Sequence, residues 1–126
     1  MLIIKTYINK SPIHGIGVFA AEDVDAGALL WEFNPLIDKA IPEAELDSLP
    51  AHVKEWVIIH AWLDSDGNRC IGLDDDKYIN HSDNPNTQYV TESNTFVSLR
   101  DIKKDEELTE DYTEYSISAF AKSLKN

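Results

Sequence analysis

Cysteine is nearly absent from this chain, with Cys70 the single one among 126 residues. No intramolecular disulfide and no multi-cysteine zinc site can form, a composition that suits a reducing interior. Long apolar runs are missing too. Nothing approaches the roughly 18 apolar residues that a membrane-spanning helix needs. The apolar opening Met1-Leu2-Ile3-Ile4 is cut short by Lys5, Asn9 and Lys10, so it reads as a first strand rather than a secretory leader. Basic residues are scarce as well: 11 Lys and Arg stand against 23 Asp and Glu, a formal charge of −12 that repels phosphate backbones. Neither direct nucleic-acid binding nor a membrane role is expected. The charge favours a basic partner, and solubility alone would explain it equally well.

What is present suffices for one small domain with its own core. Short runs rich in β-branched and aromatic residues predict strands at Leu2 to Ile8, Gly17 to Ala20, Leu29 to Phe33, Arg69 to Leu73, Gln88 to Val90 and Thr95 to Leu99. The fold class is therefore mostly β with a few helices. Val53, Val57, Ile58, Ala61 and Trp62 have helical spacing, and Ser48-Leu49-Pro50 divides the stretch from Pro42 to Leu63 into two helical pieces. A further helix, with Ile117, Phe120, Ala121 and Leu124 on one face, is expected over Tyr115 to Leu124. Asp64-Ser65-Asp66-Gly67-Asn68 has the composition of a loop, and it lacks the glutamate that a twelve-residue calcium loop requires.

Three segments concentrate chemistry. His14-Gly15-Ile16-Gly17 lets backbone approach a ligand or take positive φ, without the longer glycine fingerprint of dinucleotide binding. Asn80-His81-Ser82 with Asn84-Pro85-Asn86 suits a tightly bonded loop; no G-x-S-x-G elbow supports a hydrolase built on Ser82 and His81. Glu107-Leu108-Thr109-Glu110-Asp111-Tyr112 ends in an aromatic that could enter a pocket. Asp74-Asp75-Asp76 reads as a solvated acidic loop.

In this order and at this separation, the segments Ser11-Pro12-Ile13-His14-Gly15-Ile16-Gly17-Val18-Phe19-Ala20, Asn80-His81-Ser82-Asp83-Asn84-Pro85-Asn86 and Glu107 to Tyr112 resemble the signature motifs of the SET-domain protein lysine methyltransferases. The resemblance covers nearly the whole chain. It implies a single domain over residues 1–126, with a core at 3–115 and a C-terminal helix or tail at 116–126. The implied fold is one of small sheets in which the last motif threads past the Asn-His-Ser strand as a pseudoknot. The implied activity is methyl transfer from S-adenosylmethionine to a lysine side-chain amine. Carried over residue by residue, Gly15, Ile16, Gly17, Asn80 and His81 would bind the cofactor and Tyr112 would be catalytic. Phe33 and Tyr89 would line the substrate channel, while Trp31, Tyr78 and Tyr115 are read first as core residues.

The chain departs from many relatives at Asp83, where they carry a zinc-binding cysteine. It has no post-SET cysteine cluster and no metal site is expected, as in compact viral and bacterial members. The helix at Ser116 to Leu124 is the expected cover, and a homodimer is the other way to bury the open edge. The target expected from the charge is a basic histone-like, chromosomal or ribosomal protein, attracted in part by Asp74 to Asp76. The rival reading is a catalytically weak SET-like module that holds basic peptides; a third is a small-molecule methyltransferase. Cytoplasm is the default location, with a nuclear or chromatin site for a eukaryotic or viral protein and export as an effector left open.

Overall fold

The structure is a computed structural model, and it describes residues 1–113. The helix expected over Tyr115 to Leu124 lies outside the described residues. The strands are short and gather into four small sheets. β1 (Thr6–Lys10) and β2 (Ile16–Ala20) form an antiparallel hairpin. The loop between them closes on Ser11, whose Oγ accepts the Ile13 amide at 2.9 Å, while its own amide donates to the Gly15 carbonyl at 2.8 Å. Gly15 sits at φ +46°, a conformation glycine takes without a Cβ penalty.

β3 (Leu29–Glu32) runs antiparallel to the Thr95–Ser98 strand, which in turn pairs with Thr87–Val90. A third sheet places β4 (Asp38–Pro42) beside the Asn68–Gly72 strand, with β5 (Trp62–Leu63) on the other side. In chain order these strands are β6 (Asn68–Gly72), β7 (Asn80–His81), β8 (Thr87–Val90), β9 (Thr95–Ser98) and β10 (Thr109–Glu110). β7 and β10 pair in parallel, Thr109 opposite Asn80 and Glu110 opposite His81.

The two expected helical pieces are a 3-10 turn at Glu43–Ser48 and α1 (Ala51–His60). Pro50 caps α1, where its missing N–H costs no helical bond. The helix stops earlier than its apolar spacing suggests. Ala61 is already extended, and Trp62 pairs with Cys70 in β5, because Trp62 joins the main core while Val57 and Leu46 form a separate cluster over the third sheet. The first strand is also shifted. Thr6–Lys10 pairs with β2, whereas Leu2 makes only an isolated bridge to Trp31.

Val18, Leu30, Trp31, Phe96, Ile102 and Leu108 are all withdrawn from water in the main core. At roughly 1.5–3 kcal/mol for each large apolar side chain, this cluster is a main source of the fold's stability. No helix of the described residues is long and apolar enough to cross a membrane.

Candidate active site

The parallel pairing of β7 with β10 is the event that assembles the site, because it joins the second and third motif segments and brings both against the glycine turn. Asn80 is buried, and its side-chain Nδ2 meets three acceptors: the His14 carbonyl at 3.1 Å, the Ile16 carbonyl at 3.2 Å and Glu107 Oε1 at 2.9 Å. Only an N–H group satisfies three acceptors, so the surroundings themselves fix the amide orientation. Glu107 also takes the Ser11 hydroxyl, at 2.8 Å on Oε1 and 3.0 Å on Oε2. A Cβ on Gly17 would stand 2.1 Å from Glu107 Oε1, so the second glycine is required by this carboxylate.

Asn86 completes the clamp from the other side. It is 1% exposed, donates from Nδ2 to the Glu107 carbonyl at 2.8 Å, and accepts the Thr109 amide on Oδ1 at 2.8 Å. His81 continues the strand. The Tyr112 amide donates to His81 Nδ1 at 3.1 Å, which assigns the ring proton to Nε2, where Asp83 Oδ1 accepts it at 3.0 Å. Asp83 therefore serves here to orient an imidazole.

Tyr112 closes the arrangement. Its ring packs 5.3 Å from that of His81, and its hydroxyl donates to the Ile79 carbonyl at 2.5 Å. Burial, and secondarily the negative charge of Glu110, push its ionisation far above that of an exposed tyrosine. The phenol is therefore neutral across the physiological range.

Tyr112 lines a cleft of about 610 Å3, counted with the solvent space at its mouth. Trp31, Trp62, Ile79, Phe96 and Leu108 form the apolar walls, and His60, Asp76, Lys77, Thr87 and Glu110 are the polar residues that line it. Trp31 meets Trp62 edge-on at 4.9 Å and Phe96 edge-on at 5.7 Å, which makes one rigid aromatic wall. Its indole N–H donates to Asp76 Oδ2 at 2.7 Å.

The acidic run at 74 to 76 is therefore not the solvated loop its composition suggests. Asp74 caps a 3-10 turn over Asp75–Tyr78, and Asp38, Asp74 and Asp76 bring oxygens within 4.8 Å of one another. Burial first, and the nearby Asp74 charge second, raise Asp76 to about 7.

Of the residues singled out from sequence, Gly15, Ile16, Gly17, Asn80, His81 and Tyr112 converge. Phe33 and Tyr89 lie elsewhere. Tyr89 is buried against Phe96 with its hydroxyl on Asn94 Oδ1 at 2.8 Å, Phe33 packs at the core edge, and neither is among the cleft's walls. Glu107, Asn86 and the Ile79 carbonyl belong to the site without having been assigned roles. The signal for Glu107 was its place opening the third motif, whereas a main-chain carbonyl leaves no mark in a sequence.

The SET domain family model matches residues 15–113, so this chain belongs to the SET domain family. A candidate histone methyltransferase of Plasmodium falciparum superposes with a TM-score of 0.59 at 23% identity, over 84% of this chain and 90% of that one. The Polycomb Repressive Complex 2 of Chaetomium thermophilum gives 0.65 at 22% identity in a structure bound to S-adenosylmethionine. That alignment covers 97% of this chain and 16% of the other. An apo, autoinhibited form of the same complex gives 0.67 at 22% identity, covering 97% and 17%. These likenesses establish the shared fold. No curated protein sequence matches the chain.

Proposed function

We propose that this protein transfers a methyl group from S-adenosylmethionine to a lysine side-chain amine of a basic protein. The observation that carries the reading is the placement of Tyr112. Its neutral hydroxyl is held on the Ile79 carbonyl inside an aromatic cleft, one residue from the Asn80–His81 strand that clasps the glycine turn. Membership of the SET domain family and the cofactor named for one Polycomb structure support the same reading.

The glycine turn fits a ligand. Gly15 has open space where a Cβ would stand, and Ile16 beside it is exposed. Gly15, Ile16, Gly17, Asn80 and His81 would hold the cofactor, which supplies an electrophilic methyl on a sulfonium. Asn80 acts by fixing the turn, since its N–H groups are committed to the His14 and Ile16 carbonyls and to Glu107.

Tyr112 orients the incoming amine. With its own proton given to Ile79, the phenol oxygen presents lone pairs that can accept an amine N–H and aim the nitrogen. The aromatic walls exclude water and tolerate cationic groups against their ring faces. The chain's net charge of −12 favours a target lysine set among basic residues.

Calorimetric titration with S-adenosylmethionine tests this reading. Saturable binding that is lost in Asn80→Ala supports it. Absence of binding by the folded wild type would shift the assignment to a non-catalytic module that holds basic peptides.

A further inference from the structure

Methyl transfer needs a neutral amine, whereas a lysine arrives as an ammonium ion, so a proton must leave the nitrogen before the bond to carbon can form. Tyr112 is poorly suited to take it, because its phenol already carries a proton and burial raises its ionisation. Three other polar residues of the lining are committed elsewhere. Asp76 gives Oδ2 to the Trp31 indole, and its Oδ1 is sealed from solvent. The buried Thr87 hydroxyl donates to the Thr109 carbonyl at 2.8 Å. Lys77 is itself a cation, with Nζ donating to the Asp74 carbonyl at 2.8 Å. His60 and Glu110 complete the polar lining.

We propose that His60 is the base of this site: its Nε2 takes the proton from the substrate ammonium and so generates the amine that attacks the methyl group. The inference rests on the methyltransferase reading for its substrate, and it adds the residue that makes the nucleophile.

Three observations carry it, and the first is position. His60 is the last residue of α1, and the run Ile59-His60-Ala61-Trp62, where the helix gives way to β5, lines the same cleft as Tyr112. The second is the state of the ring. His60 Nδ1 lies 2.8 Å from the Trp56 carbonyl, an oxygen that can only accept, so Nδ1 carries a hydrogen and Nε2 of the neutral ring carries the lone pair. An imidazole held in this way keeps one tautomer and one orientation, as a base must. The third is the setting for the charge that the proton brings. The His60 ring lies 4.5 Å from that of Trp56 at the C-terminal end of a helix, and both the indole face and the helix end attract a cation.

The step balances within the site. An N–H bond of the ammonium breaks with its electron pair remaining on nitrogen, and an N–H bond forms at His60 Nε2. The imidazolium then releases its proton to solvent, which reaches His60 because the residue is only partly buried.

The charged and titratable groups that meet His60 in the cleft come from other elements: Asp76 and Lys77 from the 3-10 turn, Glu110 from β10, and Tyr112 just beyond it. Glu110 adds negative charge that draws an ammonium inward. Of these side-chain types, imidazole exchanges protons near neutral pH, whereas a carboxylate is ordinarily too weak a base to take one from an ammonium.

A readout independent of turnover is nitrogen NMR of the full chain carrying isotope-labelled histidine, with the His60 signals assigned by their contact with the Trp56 ring. The neutral ring should show hydrogen on Nδ1 and none on Nε2. At a pH where the ring is neutral, n-butylammonium is expected to shift the His60 Nε2 signal saturably, and n-butanol to shift it much less. Turnover gives a second readout. With a lysine peptide, His60→Gln should lower kcat/KM by about 100-fold near pH 7 without changing the affinity for S-adenosylmethionine. That deficit should shrink toward about pH 10, where lysine amines become neutral unaided. Added imidazole should restore part of the rate in His60→Ala, a response that a merely structural side chain does not give. Thermal melts identify a variant that fails to fold, and the wild-type NMR response then decides the matter.

Hydrogen on Nε2 of the neutral ring, no shift with n-butylammonium, or a His60→Gln deficit that is absent or equal at every pH would overturn the proposal. Loss of turnover in Glu110→Gln beside wild-type rates in His60→Gln would pass the role to Glu110 and overturn it equally. If n-butylammonium shifts His60 as described, yet the wild type neither binds S-adenosylmethionine nor methylates a lysine peptide, the methyltransferase reading fails and the amine site at His60 stands.

Discussion

The side-chain amide of Asn80 lies 2.9 Å from the carboxylate of Glu107, and through this contact the three motif segments become one object. Glu107 reaches Ser11 from the same carboxylate, and Asn80 reaches the His14 and Ile16 carbonyls from the same nitrogen. Asn80→Asp should therefore be worse than Asn80→Ala, although it changes no volume. An aspartate would turn an oxygen toward three acceptors in a buried setting and cost about 3 kcal/mol or more. Chemical denaturation of the two variants, at matched pH, reads the order directly.

Gly17 is a second point of close approach. Gly17→Ala would put a methyl group 2.1 Å from Glu107 Oε1, so the carboxylate or the turn has to move. We expect a loss of about 2 kcal/mol and weakened S-adenosylmethionine binding. Gly17→Ala/Glu107→Ala should lose less stability than the sum of the two single changes, because Glu107→Ala takes away the carboxylate that the added methyl group meets. Additive losses would show that the contact is not the reason for the glycine.

Asp76 gives a stability prediction of unusual sign. Its carboxyl is raised from an ordinary 3.8 to about 7, so between those values the folded chain holds a proton that the unfolded chain has released. That contribution lowers stability as pH rises from about 4 to about 7, and the deficit persists above. Asp76→Asn keeps an acceptor for Trp31 and removes the charge. The variant should melt higher than wild type at about pH 8, by the equivalent of about 1–3 kcal/mol, and no higher near pH 4. A lower melting temperature at both would contradict the account.

Tyr112→Phe removes the hydroxyl from the Ile79 carbonyl and leaves the ring against His81. Methyl transfer should fall by about 10²–10³-fold, the scale of losing one positioned hydrogen-bonding group in a dry site. Cofactor affinity should change little, which calorimetry on the variant reports.

Much of the fold was legible because its local signals agree. Val18, Leu30 and Phe96 sit in short β-branched or aromatic runs, and each of those runs is a strand. The two-residue strands β7 and β10 left no such trace, since their pairing joins residues 29 positions apart and depends on side chains such as Asn86. β4 escaped notice for a related reason: only Asp38 in it is fully buried, so no apolar alternation marks it.

The convergence of the motif segments was legible where their residues meet through their own side chains, as with Asn80, His81 and Tyr112. It was not legible where a residue matters through a distant partner. Asp76 looked like part of a solvated run because Trp31, the group that holds it, lies 45 positions away. Trp62 looked helical because its spacing continued that of α1, while its packing against Trp31 draws it into a strand.

The central claim is that Tyr112, in its cleft, serves methyl transfer to lysine. The most direct measurement is mass spectrometry of a basic-protein mixture incubated with S-adenosylmethionine and either wild-type chain or Tyr112→Phe. The account predicts single-methyl mass increments on lysine residues with the wild type and their near-absence with the variant. Saturable cofactor binding without any increment on lysine, or equal increments from both proteins, would contradict it.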